Sequence, residues 1–324
     1  MKEFIIGEND SGQRLERFVL KVAPHLPKGL LFKFLRTKKI KCNGKRCEAS
    51  QLLEAGDQLR LFLPDSFFES KTEKDQYDFL CAPNQIQVLY EDTNILIVDK
   101  PVGLVVHTDD NHTKDTLIHR IQHYLYQEKA YIPEQEHAFS PALCNRLDRN
   151  TSGIVIAAKT ALGLREMNQM IREDRVQKVY LCVAVGKFQK QSDTLYGYHK
   201  KIERTQKVVI QKEPASGFRK IITKYTVLAH QKELNLVRIQ LLTGRTHQIR
   251  AHLASIGTPI LGDNKYGNVV VNRKYHCYHQ LLCAYQVQFS CDVTSPLVNL
   301  NQLKITCKVP DFVNQYFSNQ KVEY

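Results

Sequence analysis

The stretch Asn145-Arg146-Leu147-Asp148-Arg149-Asn150-Thr151-Ser152-Gly153 constrains this chain more than any other. It is a polar, turn-forming loop between Ala142-Leu143-Cys144 and the β-branched run Ile154-Val155-Ile156-Ala157-Ala158. A short apolar run bounded by glycine reads as a buried strand. Asp148 is therefore expected at the mouth of a rigid element, flanked by Arg146 and Arg149. A neighbouring positive charge favours the ionised form of a carboxylate. Taken alone, the loop is better read as a surface turn with a structural ion pair, because such networks also perturb carboxylates.

Composition narrows the class. The 324 residues leave room for two domains, and 43% hydrophobic with 24% charged residues is a globular balance. The formal net charge of +13 points to a polyanionic partner. The 9 cysteines form no C-x-x-C pair, which fits reduced thiols in the cytoplasm. His276-Cys277-Tyr278-His279 with Cys283 lacks paired zinc-ligand spacing, so no metal is expected. Met1 to Glu8 carries acids and a brief apolar run, unlike a signal peptide. No apolar stretch approaches the roughly 18 residues that span a bilayer, so no membrane partner is expected.

The first block, residues 1–64, holds 13 Lys+Arg against 7 Asp+Glu. Leu15, Phe18, Val19 and Val22 recur at helical spacing, and Leu31, Phe34 and Leu35 repeat the pattern over residues 28–37. Lys33, Arg36, Lys38 and Lys39 fall on or just beyond the opposite face, where phosphate contact would give affinity without sequence choice. Asn43-Gly44 signals a hairpin, and residues 58–63 alternate as a strand. Residues 65–83, with 2 Lys against 5 acids, read as a linker. Residues 84–324 read as short strands at 86–90, 94–98, 154–158, 180–185, 221–227, 236–242 and 285–289. Helices are expected at 116–127, 161–173 and 246–255. In the last of these Ile249, Leu253 and Ile256 would face the core, with Gly257 as the stop. The grouping implies an α+β fold on a mixed, mainly antiparallel sheet.

Three ordered blocks over roughly residues 84–290 resemble the RluA family of RNA pseudouridine synthases. Residues 145–153 match its H-R-L-D-x-x-T-S-G motif, with Asn145 in place of the usual histidine. Tyr90 to His107 resembles its opening strand and K-P-x-G-L-x-V-H turn. Leu242 to Leu253 resembles its G-R-T-H-Q-I-R-x-H block, which Gly262-Asp263-Asn264-Lys265-Tyr266-Gly267 extends. The helix–helix–hairpin unit of residues 1–64 resembles the small RNA-binding domain first described in a ribosomal small-subunit protein.

The resemblance implies isomerisation of uridine to pseudouridine in RNA, without cofactor or metal, by a cytoplasmic monomer. It makes Asp148 the catalytic carboxylate, acting either as nucleophile or as base. It pairs Arg245 with Asp148, places Tyr180 of the K-x-Y-x-A-x-V-x-G strand on the target base, and puts Arg146 and Arg149 against RNA. His107, His247 and His252 are expected as scaffold or RNA contacts. Large-subunit ribosomal RNA is the expected substrate, with transfer RNA as the alternative. A non-catalytic RNA-binding factor would lack the aspartate, arginine or tyrosine, and all three are present. A hydrolase using Asp148 would need a metal or a second poised carboxylate, and Asp109 and Asp110 follow no such pattern.

Overall fold

Two helices and a small sheet bury the apolar positions of the first block. In the computed structural model, which describes residues 1–68, 77–108, 113–205, 207–320 and 322, α1 spans Leu15–Val22 and α2 spans Lys28–Arg36. Leu15, Phe18, Val19, Leu31 and Leu35 are buried, the stripe that helical spacing requires. They pack on a four-stranded sheet of order β1-β4-β2-β3, with β1 Lys2–Ile5, β2 Ile40–Cys42, β3 Lys45–Arg46 and β4 Gln58–Leu61. Asn43 and Gly44 take φ 52° and 72°, the left-handed pair that a two-residue hairpin turn needs. Phe68 closes this core, whereas Phe79 packs on the rings of Tyr126 and Tyr131. Both flanks of the segment expected as a linker are thus anchored; residues 69–76 lie outside the described residues, as do Asp109 and Asp110.

The first block sits against the rest of the chain through polar contacts. Asn9 Nδ2 donates to Glu136 Oε1 at 2.7 Å, and Asp10 Oδ1 accepts the Ala138 N–H at 3.2 Å. Arg165 donates to the Ser11 carbonyl at 2.9 Å.

Among the described residues the second sheet has 11 strands and carries the rest of the fold. In chain order these are β5 Gln87–Glu91, β6 Ile95–Lys100, β7 Ala142–Leu143, β8 Ser152–Ala158, β9 Val176–Val185 and β10 Ser192–Ile202. Then come β11 Lys207–Gln211, β12 Arg219–Gln231, β13 Leu234–Leu241, β14 Leu282–Phe289 and β15 Lys304–Thr306. The order is β11-β10-β12-β13-β9-β14-β8-β6-β5, with β15 on β14 and β7 on β8. The pairing of β14 with β8 is parallel and the other pairings are antiparallel.

Both faces of the sheet centre are covered, which is why its strands read as continuous apolar runs rather than as alternation. On one face Ile95, Ile97, Ile154, Ile156 and Leu181 meet Met167 of α4 (Ala161–Arg172) and Phe312 of α7 (Asp311–Phe317). On the other, Leu96, Val98, Val155, Tyr180 and Ile239 meet Ile121 of α3 (Leu117–Gln127) and Leu253 of α5 (Gln248–Ser255). A further helix, α6, spans Val269–Lys274. Among the described residues no helix is long and apolar enough to cross a membrane. One core position differs from expectation: Ile256 is 40% exposed, because α5 ends at Ser255 and Gly257, at φ 79°, turns the chain away.

Candidate active site

The Asp148 loop is fixed by three kinds of neighbour. Its exit strand β8 runs beside β14, with Gly153 opposite Ala284. Gly153 takes φ 103°, and a Cβ there would lie 2.3 Å from the Ala284 carbonyl oxygen, so only glycine fits this approach. Asn145 is the departure from the family motif, and its amide serves as a clamp on β8. Its Oδ1 accepts the Ile156 N–H at 2.8 Å and its Nδ2 donates to the Ile154 carbonyl at 3.3 Å. Finally Lys100, fully buried, donates from Nζ to the carbonyls of Pro101 and Leu104 at 2.9 Å and of Arg149 at 3.1 Å. One ammonium thus ties the lysine–proline turn to the aspartate loop. Its role was missed in the sequence, although a lysine ending an otherwise apolar strand was the available signal.

A buried arginine holds Asp148. Arg250 Nη1 donates to Asp148 Oδ2 at 2.6 Å, while its Nε and Nη2 grip Asp263 at 2.7 and 2.9 Å. Asp263 is fully buried and also accepts the N–H groups of Lys265 and Tyr266. Burial alone would raise the Asp263 carboxyl; Arg250 and these N–H donors outweigh it and hold it below the usual carboxylate range. Burial likewise opposes the Arg250 charge, and the two carboxylates outweigh that and push its pKa up. A planar fork that serves two acids from two edges is a task for arginine and not for lysine.

This corrects the pairing expected of Arg245. The α5 helix begins at Gln248, after His247 takes a left-handed φ of 52°, so Arg245 falls in the bend before it. Arg245 lines the same cleft with its side chain exposed, and its N–H donates to Gln248 Oε1 at 3.1 Å. Arg250 instead lies among residues 248–253, all of them buried, where a charged group requires partners. Arg149 also departs from its expected place beside the carboxylate, because its Nε donates to the Gly103 carbonyl.

His247 Nε2 lies 3.9 Å from Asp148 Oδ2, but the contact is not an ion pair. Burial, with Arg250 and Lys265, pushes the imidazole down to about 4 against the pull of Asp148 and Asp263, so the ring is neutral at pH 7. Its Nδ1 shares a hydrogen bond with the Tyr266 hydroxyl at 2.9 Å. His252 is buried, is likewise lowered to about 4 by burial, and bonds Thr223 Oγ1 at 2.9 Å, as a scaffold residue would. His107 is exposed.

Asp148, Tyr180, Arg146, Arg245, His247 and Arg250 line one cleft of about 580 Å³. Tyr180 is 6% exposed and sits on β9 at the base of the cleft. Burial, with Asp148 nearby, pushes its phenol above the usual range, so it stays neutral. Arg146 is exposed at the rim. A larger cleft of about 670 Å³ opens behind Lys100, lined by Asp99, Cys283 and Cys307, and does not include Asp148. Size therefore does not pick out the chemistry here; the convergence of charged groups on Asp148 does. Lys33, Arg36, Lys38 and Lys39 are exposed on and after α2, in the first block and not at the cleft. Among the described residues no group of three or more potential metal ligands gathers.

Residues 94–255 match the RNA pseudouridylate synthase family. The chain belongs to that family. An uncharacterized RNA pseudouridine synthase of Mycoplasma genitalium is 31% identical over 291 residues, covering 89% of this chain and 88% of the relative. A ribosomal large subunit pseudouridine synthase C of Buchnera aphidicola is 32% identical over 270 residues, covering 81% and 79%. The human RNA pseudouridylate synthase domain containing 4 superposes with a TM-score of 0.54 at 23% identity, over 70% of this chain and 89% of that one; the likeness is one of fold. The RluA-type resemblance of the motifs is thereby borne out, and the chain is an isomerase acting on RNA.

The buried ammonium gives this synthase a pH signature. Burial lowers the Lys100 pKa to about 8, against the pull of Asp148, Asp99 and Cys283. Between about pH 8 and the unfolded lysine value near 10.4 the unfolded chain holds more protons than the native one, so stability attributable to this group rises with pH. The unfolding free energy of wild type minus that of Lys100→Met should therefore grow by up to about 3 kcal/mol from pH 7 to pH 10.5. A constant difference across that range in denaturant titrations would show that Lys100 does not titrate there.

Proposed function

We propose that this synthase isomerises uridines in large-subunit ribosomal RNA, with Asp148 as the reacting carboxylate. The observation that carries the reading is the Asp148–Arg250–Asp263 chain at the mouth of a cleft floored by Tyr180. Both described approaches to Asp148 fall on Oδ2, and Oδ1 takes no hydrogen bond from a described residue. One oxygen is thus fixed while the other stays open to a nucleotide. The reaction breaks the bond between N1 of uracil and C1′ of the ribose, turns the base, and joins C5 to C1′. The C5 hydrogen leaves as a proton and N1, freed from C1′, takes one up. The uracil that leaves C1′ is the group that returns to it, so no oxidant, nucleotide or second substrate is required.

In this reading Asp148 acts at the sugar or base, and the Arg250 charge and the low-polarity floor hold it there. Tyr180 offers a flat ring to the uracil face, and its neutral hydroxyl meets an edge of the base. Arg146 and Arg245, exposed at the cleft, would take phosphates or fill the space that the flipped nucleotide leaves. Arg149 would sit beside the backbone. Residues 1–64 would form a separate RNA-binding domain, joined by residues 65–83 to a catalytic domain of residues 84–324. Lys33, Arg36, Lys38 and Lys39 would supply its phosphate contacts. The ribosomal target rests on relatives that carry that name and on the basic first block. Unpairing the target costs a few kcal/mol, which such contacts offset.

The test uses the full chain and ribosomal RNA tritiated at uridine C5. Tritium should be released without added metal or nucleotide, faster from large-subunit RNA than from transfer RNA. Deleting residues 1–64 should weaken binding and flatten its salt dependence, while slow turnover of a short RNA persists. Equal rates on both RNAs would remove the ribosomal assignment, and an unchanged salt slope after deletion would remove the binding role of the first block.

A further inference from the structure

The β10–β12 end of the large sheet has two faces of different chemistry, and the pairing register separates them. Leu195, Gly197 and His199 lie opposite Thr223, Ile221 and Arg219. This is the cleft side: His199 Nε2 meets the Thr246 carbonyl at 2.9 Å, and α5 packs here through His252 and Thr223. The residues between them point to the reverse side. There Tyr196 lies opposite Ile222, Tyr198 opposite Lys220, Thr194 opposite Lys224, and Lys200 opposite Val209 of β11.

That reverse side is open, basic and aromatic. Tyr196 is 64% exposed, and Lys200, Lys220 and Lys224 are exposed. Lys220 Nζ stands 5.9 Å from the centre of the Tyr196 ring, and Lys200 Nζ stands 5.6 Å from that of Phe218. The α7 end of the molecule reaches β12 at its far end, where Gln320 donates to the His230 carbonyl. Residues 192–231 carry 8 Lys+Arg and 3 Asp+Glu. One of those acids, Asp193, is tied to Lys190 at 3.1 Å. A merely soluble sheet face mixes both signs across its strand pairs. Here the pairs place lysine opposite tyrosine, threonine and valine.

The edge strand links this side to the cleft. Tyr266, whose hydroxyl meets His247, also accepts the Val208 N–H of β11 at 2.8 Å. Lys201 sits opposite Val208 on the cleft side, and Lys200 beside it points to the reverse. Cations therefore stand on both sides of the edge strand, within a few residues of the site.

We propose that the reverse face of β10 and β12 binds a second, single-stranded stretch of the substrate RNA. The strand leaves the Asp148 cleft, rounds the β11 edge, and lays its phosphates on Lys200, Lys220 and Lys224 with a base on Tyr196. A sheet face with an exposed ring between cations suits this, since every base has a face to stack and the backbone supplies the charge. The proposal rests on RNA being the substrate.

The test compares two RNAs: a short hairpin that fills only the cleft, and the same hairpin with a single-stranded extension of about a dozen nucleotides, within the span such surfaces cover. The variants are the triple Lys200→Gln, Lys220→Gln, Lys224→Gln, and separately Tyr196→Leu and Tyr196→Phe. For the extended RNA the triple variant should raise Kd about tenfold or more, and the slope of log K against log salt should fall by about 2, three phosphates at about 0.7 each. Tyr196→Leu should weaken the same RNA about fivefold or more, and Tyr196→Phe should bind like wild type, because stacking survives. On the short hairpin all variants should keep the wild-type kcat and KM, which also reports an intact fold. An unchanged Kd and salt slope for the extended RNA would overturn the proposal. So would an equal loss on both RNAs, which would place these lysines at the cleft. Loss of binding to polyglutamate with RNA binding untouched would assign the face to an acidic protein instead. Failure of wild type to turn over either RNA would count against the functional reading alone, since the binding arms stand independently.

Discussion

Asp148→Asn should leave a folded protein that binds RNA and releases tritium from C5-labelled uridine about a thousandfold or more slowly than wild type. The size of the loss follows from removing the one group that reacts. The other acid lining the cleft, Asp174, is exposed and takes no part in the Arg250 pairing that positions Asp148, and single deletions of a nucleophile or base cost on the order of 10² to 10⁶ in rate. The fold should survive because the substitution keeps size and leaves an amide oxygen to accept the Arg250 Nη1–H now made at 2.6 Å. Arg250 also keeps both bonds to Asp263. RNA affinity should hold within a few fold, or rise, as a negative charge leaves a site that receives a polyanion. Single-turnover rates and filter binding on one preparation separate the two effects. Turnover by Asp148→Asn at the wild-type rate would exclude Asp148 as the reacting group.

How much of this was legible in the sequence depended on whether a residue's role was local. The Asp148 loop, the buried strand after it and the Asn-Gly hairpin were all readable, because glycine placement and β-branched runs act over a few residues. The hairpin of β10 and β11 was not. Its inner side uses Gly197 and His199, which carry no apolar signal, and Gly197 is small because Ile210 and His252 approach it. Its outer side is tyrosine and lysine, so strand alternation never appears as hydrophobic against polar. The first strand, β1, was missed because its partner β4 lies far along the chain. Arg250 was missed for a related reason. Which of two arginines in one short block reaches Asp148 depends on where the helix starts, and His247 in a left-handed conformation delays that start. Asp263 could have pointed to the answer: an acid between apolar Ile260-Leu261 and a tight turn is buried, and a buried acid needs a cation.

Arg250→Met should damage both stability and rate, whereas Arg245→Met should spare stability. Removing Arg250 leaves Asp263, fully buried, and Asp148 without their cation. Breaking a buried pair from one side costs about 3–5 kcal/mol, because the remaining charge stays uncompensated. Arg250→Lys should recover part of the stability and little of the rate, since one ammonium cannot hold two carboxylates at the angles of a planar fork. Arg245 is exposed, so its loss should change stability by no more than about 0.5 kcal/mol and act on KM through weaker RNA contact. Instability is separable from lost chemistry in the double variant Arg250→Met, Asp263→Asn. Making residue 263 neutral removes the stranded buried charge and should restore much of the unfolding free energy. The rate should stay low, because Asp148 still lacks the donor that fixes Oδ2. Chemical denaturation and kcat measured side by side on the four variants decide the matter. If Arg250→Met kept the wild-type rate while Arg245→Met lost it, the pairing seen between Arg250 and Asp148 would have no part in turnover.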